Sequence, residues 1–358
     1  MDCLDVCYKK TGDTRVHLNV YPPGIESQSP YPLLPAVVYF HGGGLTVGTR
    51  TSWFPTWLKS RVVAAGSVFI SADYRLLPGA TLPDIIDDIK DLFSFLAGDV
   101  CFKTDGDCRF GIDAQSLVVA GSSAGGTCAY LAATHASPRP KAVLAIYAMF
   151  GNAFNSHTLI PKTHVFFRGR EILDPKNFSE FLYPNCTHLN PISESELAYH
   201  PASSPTPGWP ANPRMPLTRL YLQLGVMLDY CTGQHDPSLS ARLRPLLESA
   251  APHDSLALQA AAHALVPPAL HQLFPQFNVS PQFPPTFLCH GSADSAVLCD
   301  ESRHMAALLR RAGVSTRLLV IDGAEHSFDY VPDAEALYSS HFDEMPEFLI
   351  NFLKDTGP

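Results

Sequence analysis

The sequence predicts an α/β fold with a mostly parallel central sheet covered by helices on both faces. Three observations carry that prediction. Compact apolar runs recur at residues 36–40, 67–72, 117–120, 142–149, 286–289 and 317–321, the form taken by strands buried on both sides. Segments of helical periodicity lie between them, so right-handed crossovers can join parallel neighbours. Finally, the run Ser116-Leu117-Val118-Val119-Ala120 passes through Gly121-Ser122-Ser123-Ala124-Gly125 into small helix formers at 126–133. That is a strand feeding a helix through one tight turn.

Taken in order, Val16, Leu18 and Val20 alternate with polar neighbours until Pro22-Pro23-Gly24, predicting a half-buried strand of an N-terminal hairpin. The run 36–40 leads straight into His41-Gly42-Gly43-Gly44. Ile85, Ile86, Ile89, Leu92, Phe93 and Leu96 share one helical face after Pro83, a good first-turn residue. Met305, Leu308 and Leu309 repeat the pattern before Gly313, a helix stop. Phe348, Leu349 and Phe352 predict a closing helix. Between 152 and 285 the alternation breaks. Proline becomes frequent, as at 200–210, yet aromatic and aliphatic residues are interleaved with it, more than a flexible spacer would carry. This organisation predicts core residues 1–151, a partly helical cap at 152–285 over the carboxyl edge of the sheet, and core residues 286–358.

Bulk properties narrow the function. The 358 residues are 46% hydrophobic and 16% charged, with a formal net charge of −9. Such a chain has a sizeable core and no electrostatic reason to bind nucleic acid or an anionic membrane. No stretch approaches the ~18 apolar residues of a membrane span, and the start lacks a basic region followed by an apolar run. Nine cysteines show no C-x-x-C pair and no zinc-like spacing. An odd number without an export signal predicts free thiols and a cytoplasmic protein. The sequons at Asn177, Asn185 and Asn278 would matter only on export.

The turn at 121–125 is where chemistry enters. G-x-S-x-G between a strand and a helix is the nucleophile elbow, which lifts Ser123 Oγ from the sheet edge. A serine hydroxyl needs a base, an orienting acid and oxyanion donors. Successive glycines after 36–40 let amides approach an oxyanion, so Gly43 and Gly44 are the expected donors, with the Ala124 N–H completing the hole. No G-K-[ST] follows, which argues against a nucleotide loop. After the strand at 286–289, Cys289-His290-Gly291-Ser292-Ala293-Asp294 supplies the acid, Asp294. A helix cap is the plain alternative for such an Asp, and Asp300 is a weaker competitor. The loop after the last strand carries the base, His326, with His341 as fallback. Asp322 and Glu325 beside it are expected to be turn or solvated residues. The order Ser123, Asp294, His326 is that of one large hydrolase class. No cofactor and no metal are expected.

On these motifs the chain resembles the hormone-sensitive-lipase-like, HGGG-bearing carboxylesterases of the α/β-hydrolase superfamily, over most of its length outside 152–285. Asp73-Tyr74-Arg75-Leu76-Leu77-Pro78, with Pro83 and Asp88 downstream, is similar to that branch's D-Y-R-L-A-P-E and P-x-x-x-x-D segments. Ser122 stands where the branch usually has Asp or Glu, and Leu77 and Gly79 depart from its pattern. The resemblance implies the α/β-hydrolase fold and hydrolysis of a small, uncharged carboxylic ester through an acyl-enzyme. The same machinery serves a biosynthetic tailoring hydrolase (deacylation, lactone opening, thioester release), or an amidase or peptidase. The rival of another class is a non-catalytic ligand-binding receptor on the same fold.

Overall fold

The computed structural model describes residues 3–24, 29–104, 109–249 and 255–354. Its strands are β1 (Leu4–Thr11), β2 (Thr14–Tyr21), β3 (Leu33–Phe40), β4 (Val68–Ala72), β5 (Phe102–Lys103), β6 (Arg109–Ser122), β7 (Val143–Ile146), β8 (Thr286–Gly291) and β9 (Thr316–Ile321). They form one sheet ordered β1-β2-β4-β3-β6-β7-β8-β9, with β5 beside β6. β1 and β2 make an antiparallel hairpin, and β2 runs antiparallel to β4. Every pair from β4 to β9 along that order is parallel. This is the α/β-hydrolase architecture that the strand runs predict.

Alternation along the strands sorts side chains into two apolar layers. Ala36, Val38, Phe40, Ile70, Leu117, Val119 and Leu288 face one layer. Val37, Tyr39, Phe69, Val118, Ala120, Phe287 and Cys289 face the other. Helices α2 (Leu82–Ala97) and α3 (Ala124–His135) cover the first face. Helix α1 (Thr56–Ala64) and the closing helix Ser339–Lys354 cover the second, where Trp57 stacks on Phe342 at 4.3 Å.

The differences from expectation are local and have physical causes. β1 carries no clear alternation because it is an edge strand whose residues are mostly half-exposed. β7 stops at Ile146 rather than 149, since Tyr147 takes φ +37° and turns the chain out of the sheet. The closing helix starts nine residues before Phe348 and contains Pro346.

Between β7 and β8 the chain folds as short helices and 3-10 turns, among them the helices Leu217–Leu224 and Met227–Thr232. Leu217, Leu220, Tyr221, Met227, Leu228 and Phe274 from this stretch are buried in the same apolar layer as α2 and α3. A spacer between two independent units would not share a core in this way. The proline-rich run is an ordered loop, pinned where Tyr199 bridges Pro210 and the His200 N–H bonds the Trp209 carbonyl at 2.8 Å. No helix among the described residues is long and apolar enough to cross a membrane. The eight cysteines among them are all free thiols.

Candidate active site

The carboxyl-terminal ends of β3, β6, β7, β8 and β9 lead into segments that line one cavity, the usual place for a site in an open parallel sheet. Ser123 follows β6 and begins α3 with φ +54° and ψ −122°, a sparsely allowed conformation for a residue with a Cβ. Its backbone is over-determined. The N–H bonds the Ile146 carbonyl at 2.9 Å, and its carbonyl accepts from Gly126 and Met149 at 3.0 Å each. These bonds hold a strained turn that would otherwise relax. Ser123 is 8% exposed, so its hydroxyl opens only into the cavity.

His326 Nε2 lies 3.0 Å from Ser123 Oγ, and His326 Nδ1 lies 2.7 Å from Asp294 Oδ2. Asp294 is thus brought to the imidazole, although the two are 32 residues apart. Its other oxygen accepts the N–H groups of Ala296 and Val297 at 2.9 Å each. Burial pushes the Asp294 carboxyl pKa up, but the charge of His326 and the hydrogen bonds from His290 and His326 outweigh it and hold the group well below the usual carboxylate range. The competitors sit elsewhere. Asp300 pairs with Arg303 at 2.8 Å inside the helix Cys299–Arg311, and His341 lies on the closing helix.

Gly43 and Gly44 line the cavity beside Ser123. Their φ values are +110° and +63°, and an added Cβ would meet the Val47 carbonyl oxygen at 1.9 Å or Thr218 Oγ1 at 1.8 Å. Only glycine fits either position. Neither amide, nor that of Ala124 at the first position of α3, donates to a backbone carbonyl among the described residues, so all three are free for an incoming acceptor. The D-Y-R segment braces this loop from below. Tyr74 donates its hydroxyl to the His41 carbonyl at 2.8 Å and stacks on the His41 ring at 4.6 Å. Arg50 binds Asp73, while Arg75 binds Asp88 and Asp84, each at 2.9 Å. Burial lowers the His41 pKa to about 4, which keeps that ring neutral against Tyr74.

Several supporting residues had no sequence signal strong enough to single them out. His290, fully buried at the end of β8, puts Nε2 3.1 Å from Asp294 Oδ2 and 2.9 Å from the Val297 carbonyl. Its Nδ1 lies 2.7 Å from Ser302 Oγ. Tyr147 packs its ring 4.6 Å from that of His326 and donates to Asp329 at 2.6 Å, where Trp57 Nε1 also donates at 3.2 Å. Burial raises the Asp329 pKa to about 6 despite these donors. Glu325, expected to be a turn or solvated residue, accepts from the His326 N–H at 2.7 Å and from Ser295 through its N–H at 2.7 Å and its hydroxyl at 2.6 Å. Asp322 accepts from Ser292 at 3.0 Å. His290 and Asp329 lie within four residues of Asp294 and His326. Proximity in sequence was a usable hint for them, whereas Tyr147 offered none.

The cavity encloses about 200 Å³ and is lined mainly by apolar side chains, including Met149, Phe167, Tyr199, Trp209 and Met215. Among the described residues, no group of three or more His, Cys, Asp or Glu is arranged to hold a metal ion.

Residues 37–186 match the family described as alpha/beta hydrolase fold, and residues 268–354 match the prolyl oligopeptidase family. The chain is 29% identical over 148 residues to probable carboxylesterase M8 of Phoma sp., covering 40% of this chain and 46% of that protein. It is 32% identical over 115 residues to carboxylesterase NlhH of Mycobacterium tuberculosis, about 32% of each chain. A longer match, 25% identical over 352 residues and 92% of this chain, is to 14% of the non-reducing polyketide synthase Preu6 of Preussia isomera. The chain therefore spans less than half the length of these curated relatives. Among solved structures, butyrate-bound Est2 from Thermogutta terrifontis aligns with 99% of this chain and 96% of its own, at 18% identity and a TM-score of 0.57. The tabun-phosphoramylated form of esterase 2 from the same organism gives a TM-score of 0.57 at 17% identity, over 98% of this chain and 94% of its own. By sheet order, matched segments and structural likeness together, the chain has the α/β-hydrolase fold.

Proposed function

We propose that the chain is a serine hydrolase that cleaves carboxylic esters through an acyl-enzyme, with Ser123 as nucleophile, His326 as base and Asp294 as its orienting acid. The observation that carries this reading is the unbroken chain of contacts Ser123 Oγ to His326 Nε2 to Asp294 Oδ2, at 3.0 and 2.7 Å, opening into one cavity. The anionic Asp294 keeps the proton of His326 on Nδ1. Nε2 is then free to accept the Ser123 proton as Oγ attacks the carbonyl carbon. The Gly43, Gly44 and Ala124 amides bind the oxyanion, each donor contributing on the order of 10²–10³ in rate. His326 returns its proton to the leaving alcohol, then activates the water that frees the acid. Residues 152–285 act as the cap that closes the cavity above Ser123.

Labelling with a fluorophosphonate probe and turnover of aryl esters from acetate to long acyl chains test this reading. A single adduct on Ser123, absent in Ser123→Ala, is expected together with ester turnover. No adduct and no turnover would favour the receptor reading and end the proposal.

A second reading concerns biological role. The match to a polyketide synthase segment spans nearly the whole chain, including residues 152–285. It supports cleavage of an acyl chain from an ester or thioester in biosynthesis, by the same triad. Comparable turnover of an acyl thioester and its oxygen ester is the expected result; thioesters left intact would remove this role.

His290 is a positioning residue in the proposed reaction. Its Nε2–H is shared between Asp294 and the Val297 carbonyl, and its Nδ1 accepts from Ser302. His290→Phe removes one donor from Asp294 and leaves buried partners unsatisfied. We expect kcat to fall about tenfold with KM nearly unchanged, since the residue does not line the cavity. A lowered Tm with kcat intact would make its role purely structural.

A further inference from the structure

The rim of the cavity carries a charge that ester cleavage does not use. Besides His326, its charged lining residues are Arg168, Arg170, Arg219 and Glu171. Three guanidinium groups against one carboxylate is a local excess of positive charge in a chain whose formal net charge is −9. Arg219 is buried and already committed, donating to the Glu171 carbonyl at 3.1 Å and to Glu171 Oε1 at 3.0 Å. Glu171 is thereby neutralised. Arg168 and Arg170 are exposed at the mouth, and neither side chain has a hydrogen bond or ion pair among the described residues, although the charge of Arg170 also acts on Glu171.

The turn that presents them is built, not loose. Phe167 bridges Arg170, the Arg170 N–H bonds the Phe167 carbonyl at 2.9 Å, and the two central residues take φ +48° and +65°. Such a two-residue turn normally has Asn or Asp before its glycine. Here Arg168 stands there, against its steric preference. The turn is also tied to the triad loops. The Arg168 N–H donates to Ser295 Oγ at 2.9 Å, Ser295 donates to Glu325 at 2.6 Å, and Glu325 accepts the His326 N–H at 2.7 Å. The backbone that carries both arginines is therefore held at a set place relative to Ser123, with the apolar Phe167, Tyr199 and Trp209 also on the cavity wall.

We propose that Arg168 and Arg170 form a clamp for an anionic group, carboxylate or phosphate, on the part of the substrate remote from the scissile bond. This deepens the esterase reading and rests on it. It also replaces the expectation of an uncharged substrate with one that is apolar near the ester and charged at its far end. Paired N–H donors at an apolar mouth are suited to planar carboxylate or tetrahedral phosphate oxygens.

The test uses the full chain and matched substrates. On the acyl side, p-nitrophenyl hexanoate is compared with the half-ester of p-nitrophenol and adipic acid. On the leaving side, S-hexanoyl pantetheine is compared with its phosphate monoester. One anionic member is expected to exceed its neutral partner in kcat/KM by about fivefold or more, the advantage shrinking at high salt. Which member gains identifies carboxylate or phosphate as the recognised group. Arg168→Ala with Arg170→Ala should abolish the advantage, read as the ratio of anionic to neutral kcat/KM measured within the same protein. Binding is read separately on Ser123→Ala, through the fluorescence of Trp53 and Trp209 on the cavity wall, with butyl hydrogen adipate against butyl hexanoate and with the two hexanoyl thioesters. Arginine-dependent tighter binding of an anionic ligand, with no turnover by the native chain, would uphold the clamp and sink the esterase reading. Turnover without any anion preference, or a preference that survives loss of both arginines, would overturn the clamp and leave the esterase reading standing.

Discussion

Asp294→Asn is expected to lower kcat by about four orders of magnitude with little change in KM. The reason lies in how the carboxylate is surrounded. One oxygen accepts the Ala296 and Val297 amides, so an asparagine in its place would keep its carbonyl oxygen there. Its NH₂ would then face His326 Nδ1 and His290 Nε2. Donating to Nδ1 forces the His326 proton onto Nε2, and that nitrogen can no longer take the proton of Ser123. His290 Nε2–H would meet a donor, at a cost of roughly 1–3 kcal/mol in stability. The pH dependence shifts as well. The pKa of Asp294 is depressed in the fold, so its contribution to stability is complete above about pH 4 and is lost as pH falls through the lower native value. The variant should lack that part of the acid-side loss. Steady-state kinetics on an aryl ester, with thermal melts across acidic pH, decide the matter. A variant within tenfold of the native kcat would remove Asp294 from the proposed mechanism.

Gly125→Ala is expected to prevent folding or to lower Tm by about 10 °C or more. A Cβ on this residue would lie 2.0 Å from the Phe40 carbonyl oxygen and 2.6 Å from that of His41. Both are backbone atoms at the end of β3, and neither can turn aside as a side chain would. The clash would push α3 away from the strand and separate Ser123 from Gly43 and Gly44. Gly24→Ala serves as the control, because among the described residues nothing lies within 4 Å of its added Cβ; it should change stability by no more than about 0.5 kcal/mol. Soluble Gly125→Ala protein with native Tm would mean that the elbow tolerates more space than its geometry allows.

The strands that carry the site were legible because buried parallel strands are short, apolar and bounded by turns. β3, β4, β8 and β9 fall within about three residues of the runs seen in the sequence, whereas β6 begins at Arg109, well before its apolar run at 117–120. β1 and β5 were not legible, since half-exposed edge positions blur the alternation. Ser123, Asp294 and His326 stood out through their place after strands. The partner of Glu325 was not legible, because a carboxylate in a polar loop gives no sign that Ser295, 30 residues earlier, will meet it. Tyr147 was invisible for the same reason, as its bond to Asp329 joins positions 182 residues apart.

The sequence alone determined the layer order, because runs of apolar residues must be buried on both faces and glycines must stand where the chain turns sharply. It also marked the residues able to act as nucleophile, acid and base. Only the tertiary structure decided which donors fill the lone pairs of Asp294, what holds the His326 ring, and that two arginines share a rim with Ser123. These depend on distances between segments far apart in the chain, set by how helices pack on a twisted sheet, and no local pattern of residues encodes them.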